Sequence, residues 1–354
     1  MKLNCRVEEA LLHNRPFVLY RKPNETQINA WFQNTDKLVQ FADFIENSFV
    51  FAPFALDEKI YFLQKDCEIF QEEINFLVEN NQQKVNDFPT IKNEENIKKQ
   101  HISLVEKAVS SIKNDEFSKV VLARKEEVSV EKNDFFFYYQ RLLQNYPTAF
   151  VYWWFHPKVG MWMGATPELL LENQNQTVKT VALAGTISAI GKNKEEIVWG
   201  EKEKAEQQIV TDFIVNVLNA HCETVTTSQV YTHQAGNLFH LKTDIQGEIS
   251  DEKQLEFIVK DLHPTPALCG FPKEKAKEFI LQNEGFDREF YGGFLGEYQI
   301  KEKQTQLFVN LRCMQLVENR AYIYIGGGIN VESIPVNEYE ETVNKSKTIK
   351  KALN

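Results

Sequence analysis

The second half of the chain alternates between strand-like apolar runs and stretches with helical spacing. Runs of β-branched and aromatic residues predict strands at 150–155, 178–183, 307–311 and 321–325. Apolar residues three and four positions apart predict helices near 102–112, 201–218, 253–261, 273–282 and 338–353. Several strands in succession between few helices favour an α+β fold with large antiparallel sheets over a repeated βαβ unit.

The first 95 residues carry a different pattern. Short apolar runs at 17–20 and 49–51 lead into NNQQKVNDFPTIKNEEN at 80–96, which is polar and contains a proline. Such a stretch is typical of an exposed linker or a long loop. We therefore predict an N-terminal region at 1–95, which packs on or completes the core and ends in this linker, and a main domain at 96–354.

The charge balance limits the class of partner. The chain of 354 residues is 43% hydrophobic and 25% charged and has a net charge of -10, with a pI of about 5.4, as is typical of a soluble globular protein. No overall positive field is available to bind nucleic acid or an anionic membrane. An anionic ligand would have to meet local cations or a metal ion.

The cysteines and the N-terminus indicate the compartment. Five cysteines, an odd number without a CxxC pair, predict free thiols in a reducing environment rather than disulfides or a zinc site. Charged residues interrupt the N-terminus where a signal peptide would be apolar, and no window holds the roughly 18 apolar residues of a membrane span. We expect a cytoplasmic protein.

Lys119 begins an apolar run, FSKVVLAR, that has the composition of a half-buried strand. Side chains alternate along a strand, so Lys119 shares a face with Val121 and Ala123. If that face meets water, the lysine is an ordinary edge residue. If it lines an interior, the lysine is available for chemistry, and alternation does not choose between the two.

Glu206 occurs on the helix predicted at 201–218. It lies three residues before Ile209 and four before Val210, so it points toward the same apolar stripe. A carboxylate in such a place requires a cation, a metal or a hydrogen-bond donor. The alternative is a first-turn glutamate that is favoured by the helix dipole.

The last predicted helix places Glu338, Glu341 and Lys345 on one face. Two carboxylates one turn apart suit a hard cation such as Mg²⁺, which prefers oxygen ligands. The same spacing also fits an ordinary ion pair between Glu341 and Lys345 on a solvated helix.

Four further features carry possible chemistry. Glu168 in GATPELLLE precedes an apolar run whose burial would raise the pKa of a carboxyl group and make it an acid. Arg312 in LFVNLRC offers a guanidinium fork for a carboxylate. His240 in NLFHL has apolar flanks, and the glycines 326–328 let a ligand approach the backbone. The structural alternatives are a strand-edge glutamate, an ion-paired arginine, a core histidine and a bulge or tight turn.

Together these groups suit a small dianionic acid, and their order along the chain resembles that in the chorismate-utilising enzymes, within them the isochorismate synthases. The resemblance covers about 102–353 and includes FSKVVLAR, GATPELLL, ALAGT, KAEQQIV, NLFHL, NLRC, GGGI and EYEETVNK. It implies large antiparallel sheets packed as a sandwich with helices outside, and it makes 96–354 the chorismate-binding catalytic domain.

The resemblance also implies a role for each motif. Lys119 is the general base and Glu168 is the general acid. Mg²⁺ is bound by Glu206 and Glu341, with Glu338 nearby or bridged by water. The implied substrate-binding residues are Gly185, Thr186, His240, Arg312, Gly327, Gly328 and Lys345.

Two stretches distinguish the branches of this family. Aminodeoxychorismate synthases resemble the chain around ALAGT but have a lysine nucleophile where Ala184 stands, and HPTPALCGFP at 263–272 resembles the branch that uses water rather than ammonia. The implied reaction adds water at C2 of chorismate and expels the C4 hydroxyl, which gives isochorismate. The alternatives are a salicylate synthase, which continues by eliminating pyruvate, and a non-catalytic chorismate-binding homologue.

The remaining expectations rest on the same likeness. We expect a monomer without a glutaminase subunit, and a product that serves menaquinone rather than siderophore synthesis. The chain departs from the family at Gln207, which follows Glu206 where a histidine is usual.

Overall fold

The computed structural model describes residues 2–41, 43–56, 60–64, 67–74, 91–131, 135–188, 191, 193–235 and 238–354. Helices α1–α7 are Leu3–Leu12, Glu94–Lys113, Phe135–Asn145, Glu201–His221, Lys253–Leu262, Lys273–Asn283 and Pro335–Leu353. Strands β1–β10 are Phe17–Arg21, Gln27–Phe32, Val39–Phe41, Ser48–Ala52, Ile60–Leu63, Glu68–Glu73, Lys119–Ser129, Phe150–His156, Gly160–Thr166 and Leu169–Gln174. Strands β11–β19 are Thr177–Ser188, Thr224–Thr227, Tyr231–Ala235, Leu238–Glu248, Gly270–Phe271, Phe294–Ile300, Gln304–Val309, Cys313–Val317 and Arg320–Ile329.

The strands form two antiparallel sheets. Sheet A has nine strands in the order β15-β7-β19-β18-β9-β8-β1-β2-β6. Sheet B has ten, with β12-β14-β11-β10-β17-β16-β4-β5-β3 in line and β13 paired to β14. The predicted α+β class with large antiparallel sheets is confirmed.

Aromatic side chains from both sheets fill the space between them. The ring of Trp154 on β8 lies 4.8 Å from that of Phe51 on β4, and the ring of Phe150 on β8 lies 4.3 Å from that of Phe308 on β17. These four residues are at most 2% exposed. Burial of such large apolar surfaces is the main force that holds the two layers face to face, so the sandwich is confirmed.

Helices cover the outer faces of the sandwich. On sheet A, Tyr139 of α3 and Ile349 of α7 are buried in one apolar cluster with strand residues. On sheet B, Val210 of α4 and Ile258 of α5 are buried in another. Among the described residues, no helix combines the length and the apolar character needed to cross a membrane.

Strands from the first 73 residues belong to both sheets. β1 pairs with β8 in sheet A, and β4 pairs with β16 in sheet B. Of the polar stretch predicted as a linker, residues 80–90 lie outside the described residues, and Glu94 already begins α2. The division of the chain at residue 95 therefore stays a prediction.

Two helices were not predicted from the pattern, α1 and α3. The latter begins with Phe135, and its aromatic residues favour a strand by propensity. Its buried positions, among them Tyr138, Tyr139 and Leu142, nevertheless follow helical spacing. The packing of that face against sheet A overrides the local preference.

A buried ion network joins α7 to β7. Arg124 Nη1 lies 2.6 Å from Glu126 Oε1, and Lys350 Nζ on α7 lies 2.7 Å from Glu126 Oε2. Glu126 is fully buried, and both cations are at most 6% exposed. Because each charge lacks water, each depends on its partners, and α7 is held to the strand that begins at Lys119.

Replacing Glu126 tests this attachment. Glu126→Gln should lower the free energy of unfolding by about 3–5 kcal/mol, because two cations would stay buried without a counterion. Urea unfolding measures the change. The matched control is Glu95→Gln, which breaks an exposed pair with Lys99 at 3.6 Å and should leave the unfolding free energy unchanged. A Glu126→Gln protein as stable as the control would contradict the assignment.

Candidate active site

Two neighbouring crossovers carry the chain between the sheets. The first leads from β9 to β10 and contains Glu168, and the second leads from β17 to β18 and contains Arg312. The N–H of Val309 donates to the carbonyl of Glu168 at 2.9 Å, and the N–H of Ala165 donates to the carbonyl of Arg312 at 3.0 Å. Arg312 also has a φ of 49°, a left-handed conformation that few non-glycine residues adopt. The two side chains thus start from adjacent, tightly bent segments.

The carboxyl group of Glu168 has an unusual environment. Burial raises its pKa from 4.5 to about 7, although the positive charges of Arg312, Lys119 and Lys345 act in the opposite direction. Three cations from different parts of the chain therefore act on one partly buried carboxyl group. A group with a pKa near neutrality is suited to deliver a proton.

Lys119 lies at the start of β7, and its side chain is 21% exposed. It packs along Gly328, where an added Cβ would lie 3.3 Å from the lysine Cε. Its Nζ lies 3.5 Å from Oε1 of Glu206 on α4. The lysine is therefore not a solvated edge residue, and Glu206 meets the cation that its position on the apolar side of α4 demanded.

The face of α7 predicted from sequence lies at the same place. Lys345 Nζ donates to the carbonyl of Gly326 at 3.1 Å and lies 2.6 Å from Oε1 of Glu341. Arg312 Nη1 donates to the carbonyl of Lys345 at 2.9 Å. The ion pair between Glu341 and Lys345 thus forms. It lies on a helix that packs against the site rather than on a fully solvated helix. Glu338 lies one turn earlier and is partly buried.

Gly185 on β11 and His240 on β14 lie next to each other. The pairing of β11 with β14 skips Gly185, which bulges out between Ala184 and Thr186 with a φ of 68°. His240 Nδ1 lies 3.1 Å from the Gly185 carbonyl, and burial lowers the pKa of the imidazole, which is therefore neutral at pH 7. The backbone of Thr186 pairs with His240, whereas its side chain is not among the described atoms.

The glycines at 326–328 do not form a turn, one of the structures considered from the sequence. β19 stays paired with β7 through all three. A Cβ would be crowded at Gly326, by the hydroxyl of Tyr291, and at Gly328, by Lys119, but not at Gly327. Val121 and Ala123 of β7 bond to groups on the far side of their strand. Gly328 and Gly326, which pair with these two residues, therefore point their N–H and C=O groups away from β7. Gly327 instead points its N–H and C=O groups toward β7 and pairs with Leu122.

The segment 263–272 lies directly beside the lysine. Phe271 pairs with Lys119, and the Phe271 carbonyl accepts a hydrogen bond from the N–H of Ser118 at 2.8 Å. At Gly270, which has a φ of 131°, a Cβ would lie only 2.2 Å from the Lys119 carbonyl. The segment 263–272, which favoured water as the nucleophile, thus borders Lys119, the residue expected to activate that water.

The carboxylates expected to bind Mg²⁺ come from two helices. Glu206 is on α4 and faces Lys119, and Glu341 is on α7 and faces Lys345. In the part of the chain that the structure describes, no three acidic, histidine or cysteine side chains form a ready metal cluster. Mg²⁺ commonly takes one or two carboxylates and completes its shell with water and substrate. These oxygen donors fit that pattern, which does not require a third carboxylate.

Two residues near the site were missed in the sequence. A Cβ on Gly185 would lie 3.1 Å from the Cβ of Glu203, and one on Gly326 would lie 2.6 Å from the hydroxyl of Tyr291. Glu203 precedes Glu206 by three residues, so the helical spacing could have identified it. Tyr291 gave no such signal, because a long-range contact alone brings it to β19.

Comparison with known proteins decides the family. The model of the family described as chorismate binding enzyme matches residues 45–354. This chain belongs to the chorismate binding enzyme family. Over 262 residues it is 29% identical to isochorismate synthase EntC of Escherichia coli K12, covering 70% of this chain and 65% of EntC. Over 259 residues it is 30% identical to anthranilate synthase component 1 of Acetivibrio thermocellus, covering 70% of this chain and 51% of that protein.

The fold agrees with that of a solved isochorismate synthase. MenF, the menaquinone-specific isochorismate synthase from Escherichia coli, superposes with a TM-score of 0.78 at 19% identity, covering 96% of this chain and 89% of that chain. The chorismate-binding fold inferred from the motifs is confirmed. The chain spans about half to two thirds of the length of the two curated relatives.

The raised pKa of Glu168 predicts a pH-dependent stability. A group whose pKa is higher in the folded state stabilises that state fully below its unfolded pKa of about 4.5, and this contribution is lost as the pH rises through about 7. Glu168→Gln is neutral at every pH. Between pH 4.5 and pH 8 its free energy of unfolding should gain up to about 3 kcal/mol relative to the wild type. Urea unfolding of both proteins measures this difference, and parallel curves would show that Glu168 has an ordinary pKa.

Proposed function

We propose that the protein is a Mg²⁺-dependent isochorismate synthase that converts chorismate into isochorismate. The observation that carries the proposal is the carboxyl group of Glu168, with a pKa of about 7, in the field of Lys119, Arg312 and Lys345. Such a site offers a proton donor, an amine and two carboxylate-binding cations together. The likeness to EntC, an isochorismate synthase, supports the same reaction class.

In this proposal each side chain has one task. Lys119 takes a proton from the water that attacks C2, and Glu168 gives a proton to the hydroxyl that leaves C4. One water enters and one leaves, so the reaction is an isomerisation. Arg312 and Lys345 bind the carboxylates of the substrate, and His240 adjoins it as a neutral imidazole.

Mg²⁺ would be held by Glu206 and Glu341, with Glu338 nearby or bridged by water. When bound, it draws electron density from the ring through the ring carboxylate. Gly185 and Gly328 offer backbone groups on either side of the ring, where their lack of a side chain admits the substrate.

Water rather than ammonia is the nucleophile in this proposal. The family includes anthranilate synthases, so the choice rests on two local features. Ala184 supplies no lysine nucleophile, and the segment 263–272, of the type that resembles the water-using branch, borders Lys119. We also propose that the enzyme is a monomer without a glutaminase partner and serves menaquinone synthesis, since no siderophore-specific feature stands out in the sequence.

Product analysis tests the reaction directly. With chorismate and Mg²⁺ the protein should form isochorismate, and EDTA should abolish turnover. Chromatography with fluorescence detection distinguishes the products. Salicylate together with pyruvate would replace the proposal by a salicylate synthase, and tight Mg²⁺-dependent chorismate binding without turnover would indicate a non-catalytic homologue.

Two substitutions test the proposed acid and base. Lys119→Ala and Glu168→Gln should each lower kcat about 10²–10⁴-fold, the usual contribution of a positioned acid or base. Lys179→Ala and Glu172→Gln are the matched controls, because they alter a partly exposed pair at 4.0 Å outside the site. Near-normal turnover by a folded Lys119→Ala or Glu168→Gln protein would refute the assigned role.

A further inference from the structure

Each carboxylate proposed to hold Mg²⁺ is followed in sequence by a buried polar residue. Glu206 is followed by Gln207, and Glu341 is followed by Thr342. Successive residues on a helix point about 100° apart, so each carboxylate can face the site while its neighbour faces the sheet. Gln207 is 3% exposed and Thr342 is fully buried.

Gln207 ties α4 to sheet B. Its Nε2 donates to Oγ1 of Thr243 on β14 at 2.7 Å and to Oγ1 of Thr211, one turn along α4, at 2.8 Å. Thr243 is 4% exposed. Both amide protons are therefore used in a dry layer, at the position where the chain departs from the histidine usual in its family.

Thr342 ties α7 to sheet A in the same way. Its Oγ1 accepts a hydrogen bond from Arg124 Nε on β7 at 2.6 Å and donates to the carbonyl of Tyr339 at 2.6 Å. Arg124 is itself fixed by Glu126 and lies 4.9 Å from the centre of the Tyr339 ring. The anchor on α7 is thus as fully buried as the one on α4.

The two anchors hold the two carboxylates from opposite layers. Glu206 is fixed relative to sheet B and Glu341 relative to sheet A. Apolar packing is not directional and allows a helix to slide or turn, whereas a hydrogen bond restricts both distance and angle. The separation of the carboxylates therefore depends on both anchors together.

We propose that Gln207 and Thr342 are positioning residues that set the distance between Glu206 and Glu341 and thereby the affinity for a divalent cation. The inference rests on the proposed function, which assigns these carboxylates to Mg²⁺. Neither residue acts on the substrate directly.

The test measures cation binding without turnover. Mn²⁺ serves as a paramagnetic probe of the Mg²⁺ site, and electron paramagnetic resonance reports the free ion in the absence of chorismate. Gln207→Met and Thr342→Val keep the size of the side chain and remove the anchor. Each should weaken Mn²⁺ binding about tenfold, the low end for residues that orient metal ligands. Thr342→Ser keeps the hydroxyl and should bind Mn²⁺ like the wild type.

A stability control separates positioning from damage to the fold. Thr305 is 2% exposed and accepts a hydrogen bond from the N–H of Gln299 at 3.0 Å, in a different part of sheet B. Thr305→Val should lower the melting temperature as Thr342→Val does and leave Mn²⁺ affinity unchanged. If Gln207→Met does not fold, Thr243→Val removes the same anchor from the strand side.

The double variant gives the decisive comparison. Gln207 and Thr342 share no hydrogen-bond partner, so their effects on unfolding should add. The double variant should lose less Mn²⁺ affinity than the product of the two single fold losses. Once one anchor is removed, the distance between Glu206 and Glu341 is no longer fixed, so removing the other anchor has less effect.

The outcomes distinguish this inference from the proposed function. Unchanged Mn²⁺ affinity in both single variants, an equal loss in Thr305→Val, or a wild type that binds no Mn²⁺ would overturn the inference. If the wild type in those cases still forms isochorismate and needs Mg²⁺ to do so, the inference alone fails and the proposed function stands. If the wild type forms none but the affinity pattern appears, the proposed function fails and the positioning role stands.

Discussion

The chain passes between its two sheets at adjacent crossovers, and two backbone hydrogen bonds, from Val309 to Glu168 and from Ala165 to Arg312, join them. This junction places a carboxyl group and a guanidinium side by side in a partly buried region. Such groups are costly to bury unless other charges compensate them. Burial raises the pKa of that carboxyl group to about 7 even though Lys119 from β7 and Lys345 from α7 act on it in the opposite direction. Each lysine carries its own counterion, Glu206 or Glu341, so β7, α4 and α7 all meet where the crossovers lie.

The need to place α7 accurately on β7 explains why buried ion pairs and hydrogen bonds accompany the apolar core. Stacked aromatic residues hold the sheets together but leave small shifts of a helix inexpensive. The network of Arg124, Glu126 and Lys350 permits one register of α7 on β7, because any other leaves a charge unpaired. The glycines of β19 complete the fit, since a side chain at Gly328 would crowd Lys119. Precision at the site thus comes from hydrogen bonds and missing side chains rather than from burial.

The sequence was informative wherever local pattern and motif agreed. Helical spacing predicted α4 and α7 with their carboxylates, and the apolar run after Glu168 predicted a raised pKa, as the structure shows. Local pattern failed for α3, where tertiary packing overrides aromatic propensity, and for the glycines, whose purpose depends on another strand. It also could not choose between a solvated and an enclosed Lys119, because the contact with Glu206 joins residues far apart in the chain.

The pairing of opposite charges also bears on the order of binding. Glu206 faces Lys119, and Glu341 faces Lys345, so each carboxylate already has a counterion before any ligand arrives. A divalent cation alone would add two positive charges beside these lysines, and a dianionic acid alone would add two negative charges beside the glutamates. Each ligand alone therefore meets some repulsion and binds more weakly than it does beside the other. The two together add no net charge, and the charge distribution therefore favours their joint binding.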